Sequence, residues 1–133
     1  MVCIYCHEKT AVTNSRTHKK TTRTWRRREC TVCYAIFTTY ESPDFSAALR
    51  VKTLDGKLEP LQRDLLLVSI FPSLSHRKNA QKDASGLTDT ILSEVLLIQK
   101  QGVVSSSDLK EIAIKILERF DNVAASHYAA HYR

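Results

Sequence analysis

No cysteine follows residue 33, although four precede it, so the thiol chemistry of this 133-residue chain is confined to its first quarter. Long apolar stretches are missing from the same region. Val2 to Glu41 is rich in Thr, Arg and Lys and cannot build a core by burial alone. The opening residues Met1 to Cys6 carry no apolar targeting segment, and the apolar run Leu65 to Phe71 is far too short to span a bilayer. These absences argue for a soluble, cytoplasmic protein with no membrane partner, in which thiols stay reduced. There is no P-loop, and no Ser/His/Asp or Cys/His pairing stands out, so an enzyme is the least expected reading. Internal repeats and low-complexity tracts are also absent.

What the first quarter does contain is two C-x2-C pairs, Cys3/Cys6 and Cys30/Cys33, with 23 residues between them. Each pair can present two sulfurs from one tight turn, and two such turns facing each other complete a tetrahedron of thiolates around one structural zinc ion per chain. Four protein ligands close the shell and leave no position at which water could be activated. His7 and His18 are decoys beside this set. Two independent redox C-x-x-C motifs are the weaker alternative, because neither pair lies in a βαβ context.

The formal charge of +6 is unevenly placed. Residues 1–50 hold nine Lys/Arg against four Asp/Glu, whereas residues 51–133 hold eleven against ten. The cationic excess therefore belongs to the cysteine-bearing part. Arg26, Arg27 and Arg28 stand just before Cys30, and Arg16, Lys19, Lys20 and Arg23 lead up to them. On a strand, Arg26 and Arg28 share one face with Thr24, and Arg27 joins Arg23 and Trp25 on the other. Such a cluster is the electrostatic footprint of a phosphate-binding surface, and the seven residues are the candidate nucleic-acid contacts. Trp25 reads first as cover for a tiny core. Charge does not separate DNA from RNA, so an RNA-binding or ribosome-associated zinc ribbon stands as the alternative.

Arg23 to Arg28 and Cys30 to Thr39 read as short strands. Ser42-Pro43-Asp44 reads as a link, giving a ribbon over residues 1–44 and a second domain over 45–133. In that domain Ala48 to Thr53 and Lys57 to Leu61 flank an Asp55-Gly56 turn, a hairpin signal. Leu61 to Phe71 follows as a helix with Leu61, Leu65, Leu66, Val68 and Ile70 on one apolar face, ended by Pro72. Ser75 to Ser85 reads as an exposed loop or frayed helix start. A second helix carries Leu87, Ile91, Val95 and Ile98 with Gly102 as C-cap, and a third carries Ile112, Ile116 and Phe120 with Ser107 or Asp108 as N-cap. An alanine-rich helix, Asn122 to Tyr132, closes the chain. The fold class is thus α+β: a small zinc ribbon, then a hairpin plus about four helices.

The order Cys3-Ile-Tyr-Cys6, Val12-Thr-Asn-Ser-Arg16, Arg26-Arg-Arg-Glu-Cys30 and Cys33-Tyr-Ala-Ile-Phe-Thr-Thr-Tyr-Glu41 resembles the zinc ribbon of the NrdR family of bacterial transcriptional repressors. Val51, Asp55-Gly56-Lys57-Leu58-Glu59, the helix order, Asp121-Asn-Val-Ala124 and Tyr132-Arg133 extend the resemblance more loosely to that family's ATP-cone domain. The resemblance implies a repressor of ribonucleotide reductase genes. It would bind paired operator boxes on double-stranded DNA as a homo-oligomer and sense ATP and dATP near Val51, Lys52, Gly56, Glu59 and Tyr128. The chain also departs from the family. Thr53-Leu54 replaces Lys-Arg before the Asp-Gly turn, Leu65 replaces a lysine, and Ala125 and His127 stand at an aromatic and an arginine position; Ile4 and Asn14 replace proline and aspartate. Losing three cations that would meet phosphates removes charge-assisted contacts, so nucleotide affinity is expected to be weak or absent.

Overall fold

The first strand of the chain lies where the sequence carries little apolar signal. In the computed structural model, which describes residues 1–19 and 22–132, β1 (Thr10–Thr17) pairs antiparallel with β2 (Thr24–Cys30), and β2 with β3 (Ile36–Glu41). Of the eight residues of β1, TAVTNSRT, only Thr10 is even half-buried, so its threonines and backbone pairing hold it in place, not a core. An irregularity between Val12 and Asn14 lets Thr13 bulge outward, and its hydroxyl donates to the carbonyl of Arg27 at 3.3 Å. The 23 residues between the cysteine pairs are long enough for a hairpin, but sequence sets no bounds for β1, because a polar strand has no apolar alternation to announce it. The strand expected over Cys30 to Thr39 begins instead at Ile36, since Cys30 to Ala35 are used by a metal-knuckle turn.

Two compact units make up the chain, Met1–Pro43 and Asp44–Arg133. Asp44 belongs to the second because its carboxylate caps α1 (Phe45–Ala48), accepting from the Ser46 amide at 3.0 Å.

In the second unit β4 (Arg50–Lys52) and β5 (Leu58–Pro60) form the expected hairpin, with Gly56 at φ +87° in its turn. β4 also pairs in parallel with β6 (Val103–Ser105), a strand missed from sequence. Gly102 therefore does not cap a helix. The helix before it, α3 (Ala80–Ile98), ends at Gln99, whose side chain accepts from the Gly102 amide at 2.7 Å. Gly102 sits at φ +76°, and a Cβ there would lie 2.9 Å from the Ala48 carbonyl oxygen, so the strand can enter the sheet only through glycine. The N-cap of α4 (Ser106–Phe120) is likewise Ser105, whose hydroxyl accepts from the Asp108 amide at 3.1 Å; Ser107 and Asp108 lie inside the first turn.

α2 (Arg63–Ile70), a 3₁₀ turn (Phe71–Leu74), α3, α4 and α5 (Asn122–His131) enclose a core around Ile70, Leu74, Ile91, Val95 and Leu117. Leu65 and Val68 do not join it. They are 64% and 63% exposed, because the eight-residue α2 spans barely two turns and buries only Leu66 and Ile70. Ile98, 44% exposed, also falls outside the buried stripe of α3.

Asp121 ties this unit together. Its Oδ1 caps α5 through the amides of Val123 and Ala124, while Oδ2 lies 2.8 Å from His76 Nε2 and 2.9 Å from Arg77 Nη1. The His76 hydrogen bond, then the Ala124 amide and the Arg77 guanidinium, hold its carboxyl well below the ordinary value of 3.8. A depressed carboxylate stabilises the fold above that ordinary value, and the contribution is lost as pH falls toward its lowered one. Denaturant unfolding across the acid range should therefore show a shallower loss of stability for Asp121→Asn than for the unmutated chain below about pH 4. An identical pH slope would remove Asp121 from the account.

Candidate metal centre and nucleic-acid interface

Each C-x2-C pair is bent into a knuckle by its own backbone. In the first, the Cys3 amide donates to the Glu8 carbonyl at 2.8 Å and the His7 amide to the Cys3 carbonyl at 3.0 Å; in the second, the Cys30 amide donates to Ala35 at 2.9 Å. The residue after each second cysteine, His7 at φ 64° and Tyr34 at φ 60°, occupies the left-handed region. Two non-glycine residues held there at equivalent positions mark strain that the folded knuckles must offset. The Thr31 amide donates to the Lys9 carbonyl at 3.1 Å and so draws the two knuckles together.

All four sulfurs lie within 4.8 Å of one another, with Cys3 and Cys33 at 3.7 Å and Cys6 and Cys30 at 3.4 Å. A tetrahedron with Zn–S bonds of about 2.3 Å has sulfur–sulfur edges of about 3.8 Å, so the donor set fits a zinc tetrathiolate. Neither His7 nor His18 belongs to the cluster. Amides point at the sulfurs, from Tyr5 to Cys3 and from Val32 and Cys33 to Cys30, each at 3.4 Å. Burial opposes ionisation of Cys30, but the amides of Cys33 and Val32 and the Cys6 thiol outweigh it and hold Cys30 at about 6. At Cys30 this favours thiolate, the form that ligates metal, whereas at Cys6 the Glu8 amide is outweighed by the Cys30 thiol and burial, which push it up to about 12, so an arriving metal must displace protons from part of the set. Cys3 and Cys30 are buried, Cys6 half-buried and Cys33 exposed.

The structure distributes the basic residues over both faces of the ribbon sheet. Arg26 and Arg28 share the face that leads to Cys30. Arg26 Nη1 meets Glu41 at 2.6 Å, and Arg28 donates to the hydroxyls of Thr39 at 3.3 Å and Thr10 at 3.4 Å. On the other face Trp25 stands between Arg16 and Tyr40 in register, and Arg27 between Asn14 and Thr38. The Arg16 guanidinium lies 6.0 Å from the Trp25 ring centroid and that of Arg23 lies 4.5 Å from Tyr40. Lys19 is exposed, and Lys20 lies outside the described residues.

Residues 1–41 match the family model described as "Transcriptional repressor NrdR-like, N-terminal domain". Relatives named "Transcriptional repressor NrdR" cover the whole chain. That of Albidiferax ferrireducens is 34% identical over 134 residues, which is 100% of this chain and 89% of the relative. That of Lactobacillus johnsonii is 34% identical, covering 100% and 86%, and that of Chlamydia pneumoniae is 30% identical, covering 100% and 86%. The chain belongs to the NrdR family of transcriptional repressors. The family is one of regulators, not enzymes, and the four cysteines are the metal-binding set of its zinc ribbon. The relatives' names do not favour the RNA-binding alternative.

Outside the ribbon, the residues that the resemblance implies for nucleotide contact lie on the β4–β5 hairpin and, for Tyr128, in α5. Val51 is half-buried in β4 beside Glu59 and Val104, Lys52 points the opposite way into solvent, and Gly56 forms the hairpin turn. Tyr128 is a core residue of α5, 5% exposed, its ring 4.7 Å from that of Tyr132. Arg133 lies outside the described residues. No helix among the described residues is long and apolar enough to cross a membrane.

Proposed function

We propose that this chain is a zinc-dependent repressor acting in the cytoplasm on double-stranded DNA, its targets being ribonucleotide reductase genes. The ribbon is the DNA-binding part, through Arg16, Lys19, Lys20, Arg23 and Arg27, while Arg26 and Arg28, candidates on charge alone, are engaged by Glu41, Thr39 and Thr10 within the sheet. What carries this reading is the density of guanidinium groups on a three-stranded sheet in which, among the described residues, Cys3 and Cys30 alone are buried. A homo-oligomer would set two ribbons on two half-sites at a fixed helical spacing.

The second unit is an ATP-cone-like module in which nucleotide binding is weak. The positions that the resemblance assigns to phosphate contact support this. Leu54 is 91% exposed and apolar, Leu65 is exposed, and the Thr53 hydroxyl is tied to Asp55 and to the Lys57 backbone. Arg77 and Lys78 are the loop cations that could restore charge, and Arg77 is already engaged. It meets Asp83 and Asp121 at 2.9 Å each and lies 4.4 Å from the Phe120 ring centroid. Val51, Lys52, Gly56, Glu59 and Tyr128 then supply too little charge to offset the desolvation of a triphosphate.

Duplex binding by the zinc-loaded chain should weaken by at least about tenfold between roughly 50 and 200 mM salt. Calorimetric titration with ATP and dATP should show nothing tighter than about 10 μM. A zinc-loaded chain that binds no duplex would refute the repressor reading; tighter nucleotide binding would show that the cone is still a sensor.

A further inference from the structure

The arginine run has two faces, and the sheet engages one of them in contacts of its own. On the face leading to Cys30, Arg26 is paired with Glu41, and Arg28 spans from Thr39 on β3 to Thr10 on β1. These two side chains cross-link the three strands next to the metal knuckle. On the opposite face the Arg27 guanidinium is exposed and has no hydrogen-bond or ion-pair partner among the described residues. Arg27 sits on the central strand, flanked in register by Asn14 and Thr38, both exposed and both able to donate and accept hydrogen bonds. Glu29, one step nearer the knuckle on the same face, forms no ion pair with it.

Arg16 and Arg23 bring the remaining charge to this face. Their guanidinium groups lie over the rings of Trp25 and Tyr40, which are cross-strand neighbours. A guanidinium resting on a ring keeps its N–H edge free for phosphate oxygens while losing rotamer freedom, so these two cations are pre-organised. The same contact covers the rings, which makes Trp25 and Tyr40 poor platforms for stacking unpaired bases.

Resting on the DNA-binding reading above, we propose that the face carrying Arg16, Arg23, Trp25, Arg27 and Tyr40 lies against the duplex, with Arg27 at the base edges in the major groove and Arg16 and Arg23 on the flanking phosphates. A β-ribbon fits that groove, and an arginine offers a planar fork that matches guanine O6 and N7 bidentately. Phosphate contacts position the ribbon, and the single central arginine gives it sequence preference. Arg26 and Arg28 are strand cross-links, not readers.

The test is binding of the zinc-loaded full chain to a pool of duplexes with a randomised segment, sequenced after selection, together with the salt dependence of the enriched duplex. Arg27→Ala should lose the preference at one base pair per chain, an effect of about ten- to a hundredfold on that duplex. Arg27→Lys, which keeps the charge without the fork, should recover general affinity but not the preference. Arg16→Ala and Arg23→Ala should weaken all duplexes alike and each flatten the salt slope by about one. Arg26→Ala should leave affinity within about threefold and zinc content unchanged. If Arg27→Ala kept both affinity and preference while Arg26→Ala lost them, the opposite face would be the reader and this assignment would be overturned. If Arg27→Ala weakened all duplexes alike and left the preference intact, Arg27 would be a phosphate contact, which also overturns its role. An unmutated chain that enriches no duplex would bring down the DNA-binding reading itself, a result distinct from a silent Arg27.

Discussion

Replacing Cys30 with serine is expected to unfold the unit Met1–Pro43 and abolish stoichiometric zinc, while the helical unit keeps its far-ultraviolet signal. The ribbon has almost no buried apolar side chain besides Cys3 and Cys30 themselves, so nothing else in it offsets the entropy of ordering three strands. Structural zinc in modules of this kind contributes on the order of 10–16 kcal/mol at neutral pH, and that binding energy is folding energy. Cys30 is the ligand whose loss should matter most. Cys30 is 1% exposed, and its sulfur accepts from two backbone amides and lies 3.4 Å from that of Cys6. A serine oxygen is a poor ligand beside three thiolates, and the left-handed residues His7 and Tyr34 would then relax to ordinary backbone. Metal analysis of chain purified without chelator checks the starting point: one zinc per chain is expected. A Cys30→Ser protein that retained one tightly held zinc and a dispersed ribbon spectrum would refute the account.

The second large effect belongs to the other unit. Ile91 is fully buried at the middle of α3, among the side chains that the helices enclose, and Ile91→Ala should cost about 2–5 kcal/mol from lost transfer and the cavity left behind. Against a total stability on the order of 5–15 kcal/mol, that shifts the urea midpoint strongly and lowers the melting temperature by about ten degrees or more. Zinc content and ribbon folding should be unchanged, because the ribbon is a separate compact unit with its own source of stability. Urea unfolding followed by circular dichroism, with zinc measured on the same sample, checks both halves. A variant that melted the helical unit and lost its zinc together would mean that the two units fold as one.

Much of this chain was legible from local patterns. The zinc ligands were legible because C-x2-C spacing within a turn is a local constraint, and the hairpin because Asp55-Gly56 supplies the positive φ that its turn requires. The buried stripe of α3 followed from helical periodicity through Leu87, Ile91 and Val95. Periodicity overreached at Leu65 and Val68. It registers that apolar residues can share a helix face, not whether another element arrives to cover that face.

Strand pairing between distant segments was decided only by the tertiary structure. β1 carries no apolar alternation and exists because β2 lies beside it; β6 exists because β4 is there to pair in parallel, more than fifty residues earlier in the chain. Such pairing depends on backbone groups meeting across long loops, and neither composition nor spacing encodes it locally. The same holds for the charges. From sequence alone, period two divides Arg26 and Arg28 from Arg27, but it took the partners on neighbouring strands, Glu41, Thr39 and Thr10 on one side and Asn14 and Thr38 on the other, to show which arginines are spent inside the fold. Sequence determined the metal, the helices and the family, because those depend on residues near one another in the chain. Which cations are committed and which face solvent depends on what folds against them, and only the assembled sheet decides that.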